Sequence, residues 1–475
     1  MSEATAEQAA GQNDAAPSSS SARDRLHQFF GDSDPIVEYG AAATPLGVLE
    51  KGHTDGVVFG FGEVDGMTCV AASCRPEAAD GVIGQRGFAE LIRATSIAVQ
   101  NHVPLILLVE GGGYRNGEPP FYAQGRDFTA VLVEASRSIP ILGAALGETR
   151  GPLALALGLA DIVVATATST ISLSEHSSGH HRSATNSFDR SDTADARIED
   201  VRGTLNRIKQ AMLLLRSDAE KSFGAQSELN TELLTKTVSE NARRAIDGRR
   251  LTDLVLDPDS GLRLRERYGG AIQTTLGRLG GRTVGIVASH SMVNAGAIDA
   301  DAAMKLGDFL ELCEKFTVPV IYLTDVPGLM AGPSAERTAV NRKSVRPYNV
   351  QARSTAPHLT VFIRRGFGQG MVLMGGGHHT RGSVLKLAWP TSQFGVMGNK
   401  GAASIRSTSS AESENRVSAD DAYSKLVERG SADSVAMDFS VDEQIPPSDT
   451  RDALIRLLRR LPMRTTQRST SEASK

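Results

Sequence analysis

His102-Val103-Pro104-Leu105-Ile106-Leu107-Leu108-Val109-Glu110-Gly111-Gly112-Gly113 returns later in the chain as Thr317-Val318-Pro319-Val320-Ile321-Tyr322-Leu323-Thr324-Asp325-Val326-Pro327-Gly328. Val103 and Val318, Glu110 and Asp325, and Gly113 and Gly328 share one offset (318 − 103 = 215). A constant offset over that length of chain is the mark of an internal duplication, and it decides the fold before any single element does. In each copy an apolar run of strand length ends at bare glycines, where a backbone can approach a ligand with no side chain in between. Two similar lobes, each with its own glycine loop, suggest a site for two reacting groups.

Upstream of each copy stands a hairpin signal. Gly56–Gly62 leads through Asp65-Gly66 into Met67–Ala72, and Ile272–Leu279 leads through Gly280-Gly281 into Thr283–Ala288. Such dipeptides between apolar runs favour a tight turn with positive φ. Helical spacing follows at Phe88–Gln100 and Ala300–Lys315, then the strands Leu105–Val109 and Val320–Leu323. A second strand-to-loop exit closes each lobe: Ile139–Ala145 before Gly151-Pro152, and Leu359–Ile363 before Gly366-Phe367-Gly368-Gln369-Gly370. Strands alternating with helices predict α/β layers, with function at the strand exits. Between the lobes, Ser172–Asp257 reads as a polar linker with helices over Ala194–Leu215 and Leu229–Asp247.

With 475 residues, 40% of them hydrophobic, the chain can bury two domain-sized cores. A formal net charge of −4 gives no ground for nucleic-acid or membrane-surface binding. Val103–Val109 and Leu153–Ala160 are too short to cross a bilayer. Three cysteines cannot form a disulfide framework, so a reducing cytoplasm is the expected location. The expected domains are a disordered tail over 1–44, an N-terminal lobe with its helical linker over 45–257, a C-terminal lobe over 258–462, and a disordered tail over 463–475.

Other motifs carry less. Neither a phosphate loop nor a dinucleotide fingerprint is present. Ser289-His290-Ser291 at a strand end is not a triad, which is assembled in space rather than in sequence. His176-Ser177-Ser178-Gly179-His180-His181 and His378-His379 read as solvated loops, and no metal is expected. Ala303-Met304-Lys305-Leu306 is similar to a biotin-attachment stretch, but Lys305 falls in a helical pattern whereas attachment lysines sit on hairpin tips.

Gly281–Ala288, Thr324-Asp325-Val326-Pro327-Gly328, Leu387-Ala388-Trp389-Pro390-Thr391-Ser392-Gln393, Val396-Met397-Gly398 and the run from Glu428 to Arg451 resemble the carboxyltransferase (β) subunit of biotin-dependent acyl-CoA carboxylases, the propionyl-CoA/acyl-CoA type in particular. The resemblance spans about residues 45–462 and is weaker in the first lobe. It implies an α/β fold of two tandem crotonase-like (ClpP/crotonase) lobes and a homo-oligomer, a hexamer among the options. It also implies a separate α partner with biotin carboxylase and biotin carrier, and CO2 transfer from carboxybiotin to an acyl-CoA, coenzyme A being part of the substrate.

By that match, amides around Gly113-Tyr114 and Gly151 would hold the enolate oxygen, with Gly112 and Arg115 beside them. Those near Gly328, Gly368 and Gly370 would hold the biotin carbonyl, with Gly366, Phe367, Gln369 and the acyl-pocket residue Val372 around them. Tyr114, Pro152 and Gln369 depart from the family pattern. A decarboxylase subunit running the same step backwards, and a non-catalytic homologue that scaffolds a carboxylase, stay open as alternatives.

Overall fold

The computed structural model describes residues 21–31, 37–39, 56–76, 81–113, 121–173, 193–216, 232–238, 244–377, 384–409, 418–437 and 440–461. The chain divides into two compact units, one of residues 1–141, 145–159 and 171–176, the other of residues 142–144, 160–170 and 177–475.

In the first unit Val57–Val64 and Met67–Cys74 form an antiparallel hairpin, in register from Val57 opposite Cys74 to Val64 opposite Met67. Asp65 and Gly66 both take positive φ (49° and 75°), the twist that a two-residue hairpin turn needs. Met67–Cys74 then pairs in parallel with Leu105–Gly112, and Ile141–Arg150 lies next in order. The helix Gln85–Asn101 packs on the hairpin through Phe88, Leu91, Ala94 and Ala98, spaced three and four apart.

The second unit repeats the plan in a sheet of eight strands among the described residues. The hairpin Ile272–Leu279/Arg282–Ser289 is followed by parallel strands Val320–Val326, His358–Phe367 and Val384–Ala388, with Gln393–Gly395 and Glu443–Gln444 completing the far side. The helix Ala300–Lys315 has the bounds its spacing predicts. Trp389 is fully buried in this unit's core, and its indole N–H donates to Thr450 Oγ1 at 2.8 Å.

The duplication extends to backbone detail. Gly280 and Gly281 take positive φ at the equivalent turn (280 − 65 = 215). His102 and Thr317, also 215 apart, end their helices at φ 53° and 54°. Val103 N–H donates to Ala98 O at 3.0 Å and Val318 N–H to Cys313 O at 2.8 Å, both residues again shifted by 215. A left-handed non-glycine residue is uncommon, so the same exception at the same place is strong support for two copies of one unit.

Three expectations need correction. Ala22–Phe30, inside the stretch expected to be disordered, is a helix closed by a Ser21/Asp24 capping box, with Leu26, Phe29 and Phe30 buried. The helix expected over 194–215 starts only at Val201, capped by Asp200, and Ala196–Ile198 is a strand parallel to Ile162–Thr166. The Asp195 carboxylate accepts the Val163 amide at 2.7 Å, which holds that edge extended. The helix expected over 229–247 is Glu232–Thr237 alone among the described residues there, and Asp247 caps the next helix, Gly248–Val255.

Lys305 lies within the helix Ala300–Lys315, 1% exposed, and donates to the Ile272 carbonyl at 3.0 Å. Burial, with Arg265 nearby, lowers its ammonium from the ordinary 10.5 to about 7. Between those values the unfolded chain holds more protons than the native one, so this residue makes stability rise with pH. Urea unfolding should therefore show a gain of about 1–3 kcal/mol from pH 7 to pH 9 in the parent relative to Lys305→Met. Parallel pH slopes for the two proteins would contradict this.

Candidate active site

In the second unit the strand Val320–Val326 exits into Pro327-Gly328, and the neighbouring parallel strand His358–Phe367 runs directly into the short helix Gly368–Met371. A register shift between Thr324 and Val326 sets Val326 opposite Gly366. Gly328, at φ 140°, has open space on the side where a Cβ would stand. Its carbonyl accepts from the Ile298 amide at 3.2 Å, and the Met330 amide donates to Ile298 O at 2.8 Å, so the loop is held from one flank. A Cβ on Gly370 would lie 2.7 Å from the Gly328 carbonyl carbon and 2.8 Å from its Cα. The two exits touch because Gly370 is bare.

The first amides of a helix have no acceptor within it and carry partial positive charge. Gly368, Gln369 and Gly370 hold those positions. Tyr348, on the helix Val340–Arg353, donates its hydroxyl to the Gln369 carbonyl at 2.9 Å and lies 3.1 Å from Gln369 Oε1, which fixes the turn from outside. Phe367 is buried, Gln369 exposed, and Val372 half-buried at the end of this short helix.

Behind both exits sits Asp325, with no exposed surface. Arg364 donates to it at 3.2 and 2.9 Å, Arg365 at 2.8 and 2.7 Å from its guanidinium and 3.1 Å from its amide, and Ser291 Oγ at 3.2 Å. Burial pushes the carboxyl up, but the bonds from Arg365 and Arg364 outweigh it and hold it below the usual carboxylate range. Arg364 also reaches the Arg244 carbonyl at 2.8 Å and Arg365 the Ala295 carbonyl at 2.9 Å.

The first unit has its own version. Leu105–Gly112 carries Gly111 and Gly112 into the strand end, and a Cβ on Gly112 would collide with the Arg150 carbonyl oxygen. Arg150 is the last residue of its strand and the cap of the helix Gly151–Gly158, so Gly112 and Gly151 are brought together. Gly151 takes φ 53° and Gly368 φ 56°, the same first helical residue in either unit. Gly113 is buried at φ 84°. Tyr114 and Arg115 lie outside the described residues, as do His176–His181 and His378-His379. Glu110, 215 residues before Asp325, pairs with the buried Arg25.

Sequence reasoning matched Asp325 to Glu110 but assigned it no role, and it missed Arg364, Arg365 and Tyr348. The available signal was two adjacent arginines at the end of an otherwise apolar strand. The serines and histidine of Ser289-His290-Ser291 are taken up structurally. The Asp325 amide donates to Ser289 Oγ at 3.0 Å, the Ile246 amide to Ser291 Oγ at 2.8 Å, and the Gly248 amide to His290 Nδ1 at 3.1 Å. Burial lowers the His290 pKa. Among the described residues no cluster of metal-ligating side chains occurs.

Each unit thus places a strand-to-helix junction of bare glycines beside a neighbouring strand end, an arrangement in which backbone N–H groups can approach a developing oxyanion. The family model described as the carboxyl transferase domain matches residues 26–178 and 190–472, and the chain belongs to that family. It is 28% identical over 407 residues to the propionyl-CoA carboxylase beta chain of Rhodococcus erythropolis, covering 82% of each chain. To the biotin-dependent acetyl-/propionyl-coenzyme A carboxylase beta6 subunit of Mycobacterium tuberculosis it is 27% identical over 468 residues, covering 93% of this chain and 94% of the relative.

Among solved structures, a single-chain, multi-domain long-chain acyl-CoA carboxylase aligns with a TM-score of 0.81 at 27% identity, over 92% of this chain and 46% of that one. Transcarboxylase 12S, described as a hexamer with methylmalonyl-coenzyme A bound, aligns at 0.81 and 23% identity over 92% and 89%. The expected two-lobed crotonase-like α/β fold is the fold found.

Replacing Asp325 by Asn removes the counter-charge of the buried Arg364 and the half-buried Arg365 and should cost about 3–5 kcal/mol in urea unfolding at pH 7. Because the native carboxyl is depressed, its contribution is complete above the ordinary carboxylate pKa and is lost as pH falls through the lower native value. The deficit of Asp325→Asn should therefore shrink toward low pH. An unchanged deficit at pH 3 would count against this account.

Proposed function

We propose that this chain is the carboxyltransferase subunit of a biotin-dependent acyl-CoA carboxylase, moving CO2 from carboxybiotin on a partner's carrier to the α-carbon of an acyl-CoA. One observation carries the reading. The described residues hold two junctions of bare amides, while the Ser354–His358 pair, 3.0 Å apart, is buried at the start of the strand whose far end carries Gly368; this suits a reaction whose base is supplied by a cofactor. Carboxybiotin supplies the CO2, and its freed ureido nitrogen accepts the α-proton. The protein's part is to hold the two oxygens on which negative charge grows.

The amides of Gly328, Gly368 and Gly370 are the donors for the ureido oxygen. The fit rests on the open face of Gly328 and on the close approach of Gly370, which any side chain would block. The amides of Gly113, Tyr114 and Gly151 are the donors for the thioester oxygen; Pro152 has no N–H, so that helix offers one amide fewer. Arg115 and Gly112 flank this second set, and Gly366, Phe367 and Gln369 frame the first. Val372 sets an apolar wall for the acyl chain.

The relatives support a separate biotin-carrying partner, the hexameric neighbour supports a homo-oligomer, and lobes over 45–257 and 258–462 fit the duplication. Cys69, Cys74 and Cys313 are buried and not joined in disulfides, which accords with a reducing cytoplasm.

In an assay with the partner carboxylase, biotin carrier, ATP, bicarbonate and an acyl-CoA panel, at least one thioester should be carboxylated. Gly370→Ala, whose Cβ would push against the Gly328 backbone and displace the donors, should lower the rate about 100- to 1000-fold, as removing an oxyanion donor does. Circular dichroism should confirm that the variant folds. No turnover of any thioester by an intact complex would overturn the proposal.

A further inference from the structure

A pocket of about 260 Å³ in the second unit shares no residue with the glycine junctions. The strand Ala196–Ile198, the helix Val201–Leu214 and the segment Gly261–Tyr268 build it. Five guanidiniums line it, those of Arg197, Arg207, Arg263, Arg265 and Arg267, with the Tyr268 ring beside them. Asp195 and Glu266 are the acids on its wall, so the lining carries a formal +3 (5 − 2).

Both wall acids already have cationic partners. Asp195 pairs with Arg265 at 3.0 Å, and Glu266 lies 3.8 Å from Arg249, which is not part of the lining. Arg265 also pairs with Asp308, and Arg263 with Asp253. Arg197 donates to the carbonyls of Thr166 and Ser169 at 3.1 and 3.2 Å, which props its guanidinium against the wall. Arg207 donates to the neutral amide oxygen of Gln210 at 2.8 Å. The Arg207 charge is thus oriented without being cancelled.

A concave wall with an excess of one sign focuses its potential on the cavity. Planar guanidiniums match phosphate oxygens in pairs of parallel hydrogen bonds. The volume lies below the ~300–1,000 Å³ of pockets that enclose drug-sized ligands, so the pocket suits a phosphate-bearing head group. We propose that this pocket binds a small phosphorylated anion of one or two phosphate groups, with Arg207 as its main contact.

The test is titration calorimetry of the full chain with inorganic pyrophosphate, repeated with Arg207→Gln and Arg267→Gln. Saturable binding is expected, weakened at least about tenfold in Arg207→Gln, as loss of a charge-assisted hydrogen bond implies. Both variants should keep the parent's unfolding midpoint, since they remove partly exposed side chains. Competition then identifies the source of the phosphate. Displacement by coenzyme A but not by pantetheine assigns the pocket to the phosphates of a thioester substrate, and no displacement by coenzyme A assigns it to an independent phosphate effector. The proposal is overturned if pyrophosphate does not saturate, if Arg207→Gln binds it equally well, or if sulfate binds as tightly.

Discussion

The carboxylate of Asp325, sealed from solvent between two guanidiniums and a serine hydroxyl, is the contact on which the second glycine junction depends. Its own strand leads to Gly328, while Arg364 and Arg365 belong to the strand that leads to Gly368. One buried charge therefore ties the roots of both exits and sets where their tips meet. A surface ion pair would do this poorly, because water screens it and the side chains stay mobile. Burial removes the competing water, and the cost of desolvation is offset by satisfying both carboxylate oxygens. The arginines in turn brace backbone carbonyls of Arg244 and Ala295, so the charge anchors the surrounding loops as well.

The first unit meets the same demand with different material. Glu110 occupies the matching strand end, but its guanidinium comes from Arg25, on a helix that lies outside the repeated pattern. A Cβ on Gly147 would stand 2.5 Å from Glu110 Oε1, so the carboxylate lies flat against the neighbouring strand. The duplicated feature is thus an acid at the end of a parallel strand, and each copy has found its own counter-charge. This explains why Ala22–Phe30 is ordered against a core although its surroundings read as a tail.

Chemistry follows from what these anchors leave bare. Close contact between Gly370 and Gly328, and between Gly112 and Arg150, requires the absence of side chains, so backbone N–H groups are the donors these loops can offer. Such donors are rigid and need no titration, which suits a reaction in which the proton is taken by a cofactor. It also explains why the polar groups of Ser289-His290-Ser291 can serve structure: the Ser289 hydroxyl and the His290 ring accept backbone N–H groups, and Ser291 bonds both the Ile246 amide and Asp325.

Much of the architecture was legible in the chain alone. The 215-residue offset, the hairpin dipeptides, the helix Ala300–Lys315 and the glycine exits are local or periodic signals, and local signals survive without knowledge of partners. Ala196–Ile198 was misread because an edge strand of three residues is chosen by what it pairs with, here Ile162–Thr166, against its own helical spacing. Ala22–Phe30 was missed although its Ser21/Asp24 cap is a local signal, because its composition reads as a tail and its apolar face and Arg25 find their partners far along the chain, Glu110 being 85 residues away. The roles of Asp325, Arg364 and Arg365, and the arginine-lined pocket, could be decided only in three dimensions, since electrostatic pairing depends on distance through space and leaves no period in the sequence. Sequence thus determined which backbone would be bare, and tertiary packing decided which charges would hold it in place.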